Sequence, residues 1–458
     1  MSIEKIVDKL AGKSVLFVGK TKTMSREDIE LFLEQSGAVR ADDESDESIG
    51  MIVFGRLVNP VEEAMCDSME KKGIPVVSIE ELERYYAATI DRDALLGSLT
   101  LFRNKERIIN LLNNRAIPDR LYCEILKLYD WEGKGPFETD ENRDVAGSLV
   151  ARYYPDINSN HNIQYSPLGP FLVAAQCDDE KLLEAMAMIP DYEISQRSVD
   201  VWMPRTLHES LLINPAIPES LLKKYAGSRI ERERAFAAMH EKLPTELQHR
   251  LYDNGSELVL EALAKNPSLD PSLHERLLKS GIEAVRLSFL KSQPLSDRIL
   301  DDIQEYDEDT LRAIGKNWHL SEENALKLIR SGKSSLLESL AENERVSPAV
   351  YEALYAKKEM AIYRKLATNE AVGEDILQKL LRIRDKEVYI GLAANPSMPQ
   401  VHLKNFSKIR DRGIMAALAS NPSTPIDILL GYQTDSELNT IVKRNEAFGA
   451  YIKHNIGM

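Results

Sequence analysis

Cysteine is scarce. The 458 residues contain three, Cys66, Cys123 and Cys177, too few and too scattered for a disulfide framework or a zinc site. No apolar run approaches the roughly 20 residues of a membrane span. The opening MSIEKIVDKL is charged from Glu4 onward and lacks the apolar stretch of a signal peptide. These absences predict a reduced, cytoplasmic protein without a membrane partner. Aromatics make up 7% of the chain, and Trp131, Trp202 and Trp318 are too dispersed to outline a base-stacking groove. Positive charge is in deficit, with 58 Lys+Arg against 73 Asp+Glu and a net charge of −15. That balance disfavours sequence-independent binding along nucleic acid, though it permits a local basic patch.

Catalytic signatures are missing as well. Gly12-Lys13-Ser14 and Gly19-Lys20-Thr21 echo the end of a phosphate-binding loop, but Val7 and Ser14 stand where its first glycine belongs. There is no GxSxG and no HExxH. The eight histidines (His161, His208, His240, His249, His274, His319, His402 and His454) never pair at metal-ligand spacing. A non-enzymatic chain without a metal or cofactor is the expectation.

What is present is a repeat. LLINPAIPESLL, LAANPSMPQVHL and LASNPSTPIDIL share an Asn-Pro anchor, which extends to Asn214, His240, Asn266, Ser292, Asn317, Asn343, Asn369, Asn395 and Asn421. Subtracting residue numbers gives steps of 26, with one step of 25 between Ser292 and Asn317. A shortened further anchor falls at Asn445. Three positions before the anchor, from Leu211 to Leu418, every residue is apolar, as is every residue eleven after it, from Tyr225 to Tyr432. Four after the anchor lies a helix-start or turn residue in every row, from Pro218 to Pro425. One row therefore reads helix, break, helix. In the last full row Asn421 is expected to close a helix in the left-handed conformation, and Thr424 to cap the next with Pro425 at its first position. A unit this small cannot bury its own faces, so neighbours must stack.

These rows resemble the leucine-rich repeat variant, whose pattern is (D)xxVRxxLAxNPxTPxxxLxxL; KSQPLSDRIL and LATNEAVGEDIL match it in outline. The resemblance covers roughly residues 180–450 and implies a mainly α, right-handed α-solenoid. The 26-residue period here is longer than the family's, nearer to HEAT-like geometry. Founding members carry a Cys-rich iron–sulfur segment, for which Cys66, Cys123 and Cys177 offer too few thiolates. No cofactor is carried over.

The N-terminus reads differently. Residues 14–18 (SVLFV), 51–54 and 75–77 are strand-like, with helices from Ser25–Asp28, over 61–72, and from Ser78–Glu81 to near Tyr86. This order implies a small parallel sheet between helices. With LAGKSVLFVGK, EQSGAV, IVFG and KKGIPVVSIEELERYY, residues 8–88 resemble a BRCT domain. The family's phosphate pocket uses a hydroxyl residue before the strand-end glycine and a Lys on the second helix. Here Val18 precedes Gly19, and Met65 to Ser68 contain no Lys. The resemblance thus implies a degenerate, protein-contacting module. The acidic run Ala41 to Ser48 reads as a solvated loop.

Three regions follow: a BRCT-like domain at 1–90, a helical connector at 91–179 with an irregular insertion at 131–170, and the array at 180–458. Within the connector, NNRAIPDRLYCEIL reads as an isolated repeat anchored at Asn114. The expected function is a protein-interaction scaffold with unknown protein partners. The alternative is a nucleic-acid-associated repair or replication factor, of the HEAT-like DNA-binding or glycosylase type. Candidate partner contacts are Lys265, Lys291 and Lys316, which precede the anchor in three successive rows. Stacked helices lie about 10 Å apart, so these lysines would form a ladder. Each also lies where Lys complements a helix C-terminus.

Overall fold

The computed structural model describes residues 2–21, 23–158, 161–194 and 200–456, with side chains through residue 452; the side chain of His454 lies outside them. The protein is mainly helical, with a small parallel sheet at its N-terminus. It divides into two compact units, Met1–Lys242 and Leu243–Met458, and the expected boundaries at 90 and 179 both fall inside the first.

The sheet has four parallel strands, β1 (Ser14–Val18), β2 (Val39–Arg40), β3 (Ile49–Phe54) and β4 (Val76–Ser78), in the order β2-β1-β3-β4. Alternate residues of a strand face opposite ways, and here both faces are buried. Val15, Met51 and Val53 pack with Ile29, Phe32, Leu82 and Tyr86 from helices Arg26–Ser36 and Ile79–Thr89. Leu16, Val18 and Ile52 pack with Cys66 and Met69 of helix Pro60–Lys71. Ser25 and Asp28 form the expected capping box. Ser78 accepts from the Glu81 amide, and its helix runs on to Thr89, past Tyr86.

Asp28 does a second job. Its Oδ1 accepts from Arg107 (2.8 and 2.9 Å) and from the Tyr86 hydroxyl (3.1 Å). Arg107, on helix Lys105–Asn113, is 4% exposed. This buried pair joins the α/β segment to the helices that follow.

Residues 131–170 correct the expectation of an irregular insertion. They contain the fourteen-residue helix Asp140–Tyr153, capped by Thr139 and buried along Val145, Leu149 and Val150. Asp140 and Asn142 obscured it in the sequence because such residues also mark turns, whereas here they form the first turn after the Thr139 cap.

In the second unit, the first helix of each repeat packs on the first helix of the next: Glu257–Ala264, Glu283–Ser292, Glu308–Gly315, Ser334–Glu342, Met360–Thr368, Lys386–Ala394, Arg412–Ser420 and Ser436–Val442. Every member of both apolar columns is buried, in either unit. Each residue four after the anchor is the N-cap of the row's second helix. Pro425 takes that place in the last row, and Thr424 donates instead to the Leu418 carbonyl (2.7 Å).

Candidate functional site

The anchor explains how rows are held in register. Asn421 is extended (φ −72°, ψ 120°), not left-handed. Its amide donates to the carbonyls of Ala393 and Asn395 in the preceding row (both 2.9 Å), and its oxygen accepts from the Ser423 amide (2.8 Å). Asn317, Asn343, Asn395 and Asn445 repeat the double donation. The step of 25 also resolves. Gln293, one residue beyond the expected Ser292, reaches the carbonyls of Ala264 and Asn266 (2.9 and 2.8 Å). The Ser292 hydroxyl is buried without a partner among the described residues. His240 imitates asparagine within the first unit: Nδ1 accepts from the Lys242 amide (3.1 Å), so Nε2 carries the proton and donates to the Asn214 carbonyl (3.2 Å). Burial holds this imidazole below its ordinary pKa, against the opposing hydrogen bond to Asn214. Asn114 makes the same turn with Ala116 (2.9 Å), ahead of Pro118 as N-cap.

All three candidate lysines sit at helix C-termini, Lys265 and Lys316 as C-caps and Lys291 in a last turn. They do not form a uniform ladder. Lys265 is 12% exposed and pairs with Glu261 (2.8 Å). Lys316 pairs with Glu342 (2.7 Å), which also holds Lys365. Lys291 is exposed and makes no ion pair among the described residues; its carbonyl accepts from the Trp318 amide (2.9 Å). Around it Lys316, Trp318, Glu342, Asn343, Glu344 and Arg345 line a shallow pocket of about 220 Å³. The Arg345 guanidinium lies 5.0 Å from the centre of the Trp318 ring. Lys291, Trp318 and Arg345 come from three successive rows, so stacking alone assembles this basic–aromatic patch. Sequence reading found Lys291 and Lys316 but missed Trp318 and Arg345, one and two residues after their anchors.

A larger pocket, about 390 Å³, opens where the pattern is weakest. The second helix of that row is cut to Asp297–Asp301 and followed by the 3₁₀ turn Ile303–Glu305. His274, Phe289, Arg298 and Tyr306 line the space. His274 Nε2 is buried without a partner among the described residues, and burial lowers its pKa.

In the α/β segment, Val18 packs into the core beside Leu16 and Ile52. Gly19 has φ +76°, and a Cβ there would meet the Arg56 carbonyl oxygen at 2.6 Å. The strand-end position therefore presents no hydroxyl. Cys66 and Cys123 are buried and Cys177 half-buried, all as free thiols.

One cluster joins residues the sequence left apart: Asp191, His208 and Glu233, whose ligating atoms lie within 4.8 Å of one another. His208 is the second residue of helix Leu207–Leu212 and Glu233 lies on helix Glu231–Met239, nearly one repeat later. That near-period spacing is the only trace of the cluster in the sequence.

No family model and no curated protein matches the chain. Among solved structures, a leucine-rich repeat variant described as having a novel repetitive protein structural motif is similar at 17% identity. The match covers 46% of this chain and 84% of that one, with a TM-score of 0.26.

Proposed function

We propose that this protein is a non-enzymatic interaction scaffold, which holds an acidic segment of a partner protein on its helical repeats. The observation that carries the reading is the patch of Lys291, Trp318 and Arg345. Three successive rows supply one exposed, unpaired ammonium, one aromatic platform and one guanidinium. Carboxylates are held by such cations through charge-assisted hydrogen bonds, and the apolar ring excludes water from the contact. The leucine-rich-repeat-variant pattern of the rows supports this reading. The N-terminal segment would serve as a second contact. Its BRCT-like motifs and its β2-β1-β3-β4 parallel order support that assignment, and buried Val18 argues for recognition without phosphate. No helix among the described residues is long and apolar enough to cross a membrane, and a cytoplasmic site of action is part of the proposal.

The test is affinity capture from lysate with the full chain and with the double variant Lys291→Glu/Arg345→Glu, each with and without nuclease. Charge reversal should abolish capture of an acidic partner while leaving circular dichroism unchanged. The wild-type interaction should weaken as salt rises. Undiminished capture by the folded double variant would refute the contact. Capture lost on nuclease treatment would favour the nucleic-acid alternative.

A further inference from the structure

The cluster around His208 has the geometry of a cation site. His208 Nδ1 lies 2.8 Å from Glu233 Oε1 and 4.0 Å from Asp191 Oδ2. The other ring nitrogen, Nε2, is 3.1 Å from the Ile189 carbonyl, and the His208 amide donates to Asp191 Oδ1 (2.9 Å). A histidine that ligates a metal typically donates its second N–H to a carbonyl, which fixes the ring and turns the other lone pair toward the ion. Here that nitrogen faces two carboxylates, and an ion between them would take the place of its hydrogen bond to Glu233. Four-coordinate zinc, with bonds of about 2.0–2.2 Å, places its ligand atoms about 3.3–3.6 Å apart. The observed 2.8 and 4.0 Å bracket that spacing, so small side-chain rotations would centre an ion.

The surroundings supply a second, independent indication. Tyr225 is 1% exposed, and its hydroxyl has no hydrogen-bond partner among the described residues. Its ring lies 5.2 Å from that of His208. Tyr225 therefore packs against the imidazole that faces both carboxylates. A buried hydroxyl left unpaired is costly, and a water on a bound ion would satisfy it. Both oxygens of Glu233 are held in place, Oε1 at His208 and Oε2 by Ser228.

We propose that Asp191, His208 and Glu233 bind one divalent transition-metal ion of the zinc type, with the Tyr225 hydroxyl available to a water in the remaining coordination position. One imidazole nitrogen and two carboxylates suit zinc better than magnesium or calcium, which prefer all-oxygen sites. This site is separate from the basic–aromatic patch and does not depend on it.

Calorimetric titration of the metal-stripped full-length protein with Zn²⁺ tests the proposal. Co²⁺ serves as a second ion, whose visible absorption reports nitrogen and oxygen ligation. One equivalent should bind, and it should raise the unfolding temperature. Asp191→Asn keeps the acceptor for the His208 amide, so it should fold yet lose affinity at least tenfold; Glu233→Gln should do the same. Tyr225→Phe should lose affinity by about tenfold, the scale of a residue acting on a metal through its surroundings, with a changed cobalt spectrum. Two results would overturn the site: no stoichiometric uptake by wild type, or uptake unchanged in the folded Asp191→Asn variant.

Discussion

Replacing Asn395 by alanine tests whether the anchor amide holds neighbouring rows together. Asn395 is 1% exposed. Its amide donates to the carbonyls of Ala367 and Asn369 (both 3.0 Å), and its oxygen accepts from the Ser397 amide (2.8 Å). At about 1 kcal/mol net per hydrogen bond, loss of three should cost about 3 kcal/mol. The cost rises if no water reaches the two abandoned carbonyls. Repeat arrays need not unfold in a single step, so hydrogen exchange across residues 360–430 is the suitable assay. It should show local opening made easier by that amount, centred on the 366–395 interface. Asn395→Asp is the sharper variant. It retains the acceptor for Ser397 but turns a carboxylate toward two carbonyl oxygens, so its folded pKa must rise above the unfolded value of about 3.9. The folded state then holds the proton more tightly, and stability falls as pH rises through that interval. At neutral pH Asn395→Asp should be less stable than Asn395→Ala, and the order should narrow or reverse in acid. A change below about 0.5 kcal/mol for Asn395→Ala would refute the ladder as a source of cohesion.

Three further outcomes are expected. Gln293→Ala should destabilise the array by about 2 kcal/mol, because two buried carbonyls lose their donor; Ser292→Ala, removing an unpartnered hydroxyl, should be neutral or stabilising in urea denaturation. Arg107→Ala should cost about 3–5 kcal/mol by stranding the Asp28 carboxylate, and thermal unfolding of the first unit should register it, whereas a change under 1 kcal/mol would contradict the geometry. His240 has a folded pKa below its ordinary value of 6.5, so the unfolded chain binds the extra proton. Its contribution is complete above pH 6.5 and is lost as pH falls from there toward the folded pKa, and His240→Asn should remove that part of the acid sensitivity.

Much of this architecture could be read without coordinates. The columns at Leu340, Leu366 and Leu392, and the helix starts four residues after each anchor, follow from local rules of helix pattern and capping, although the last row is capped by Pro425 rather than Thr424. Such rules act over a few residues and repeat with the period. The reason for the anchor could not be read that way. An asparagine before proline suggests a turn by itself, yet its amide acts on carbonyls 26 and 28 residues earlier, Asn395 and Ala393 in the case of Asn421. The same limit hid Gln293, whose longer side chain restores a contact that register alone assigned to Ser292.

The period, the buried columns, the N-terminal parallel sheet and the predominance of helix were legible in the chain, because each depends on the order of apolar, polar and breaking residues along a short stretch. Tertiary structure alone decided which charges remain available. It pairs Lys265 and Lys316 with carboxylates and leaves Lys291 beside Trp318 and Arg345. It also brings Asp191, His208 and Glu233 within reach of one another across 42 positions of chain, by subtraction of their residue numbers. Electrostatics and coordination depend on distances between side chains, and those exist only after the rows have stacked.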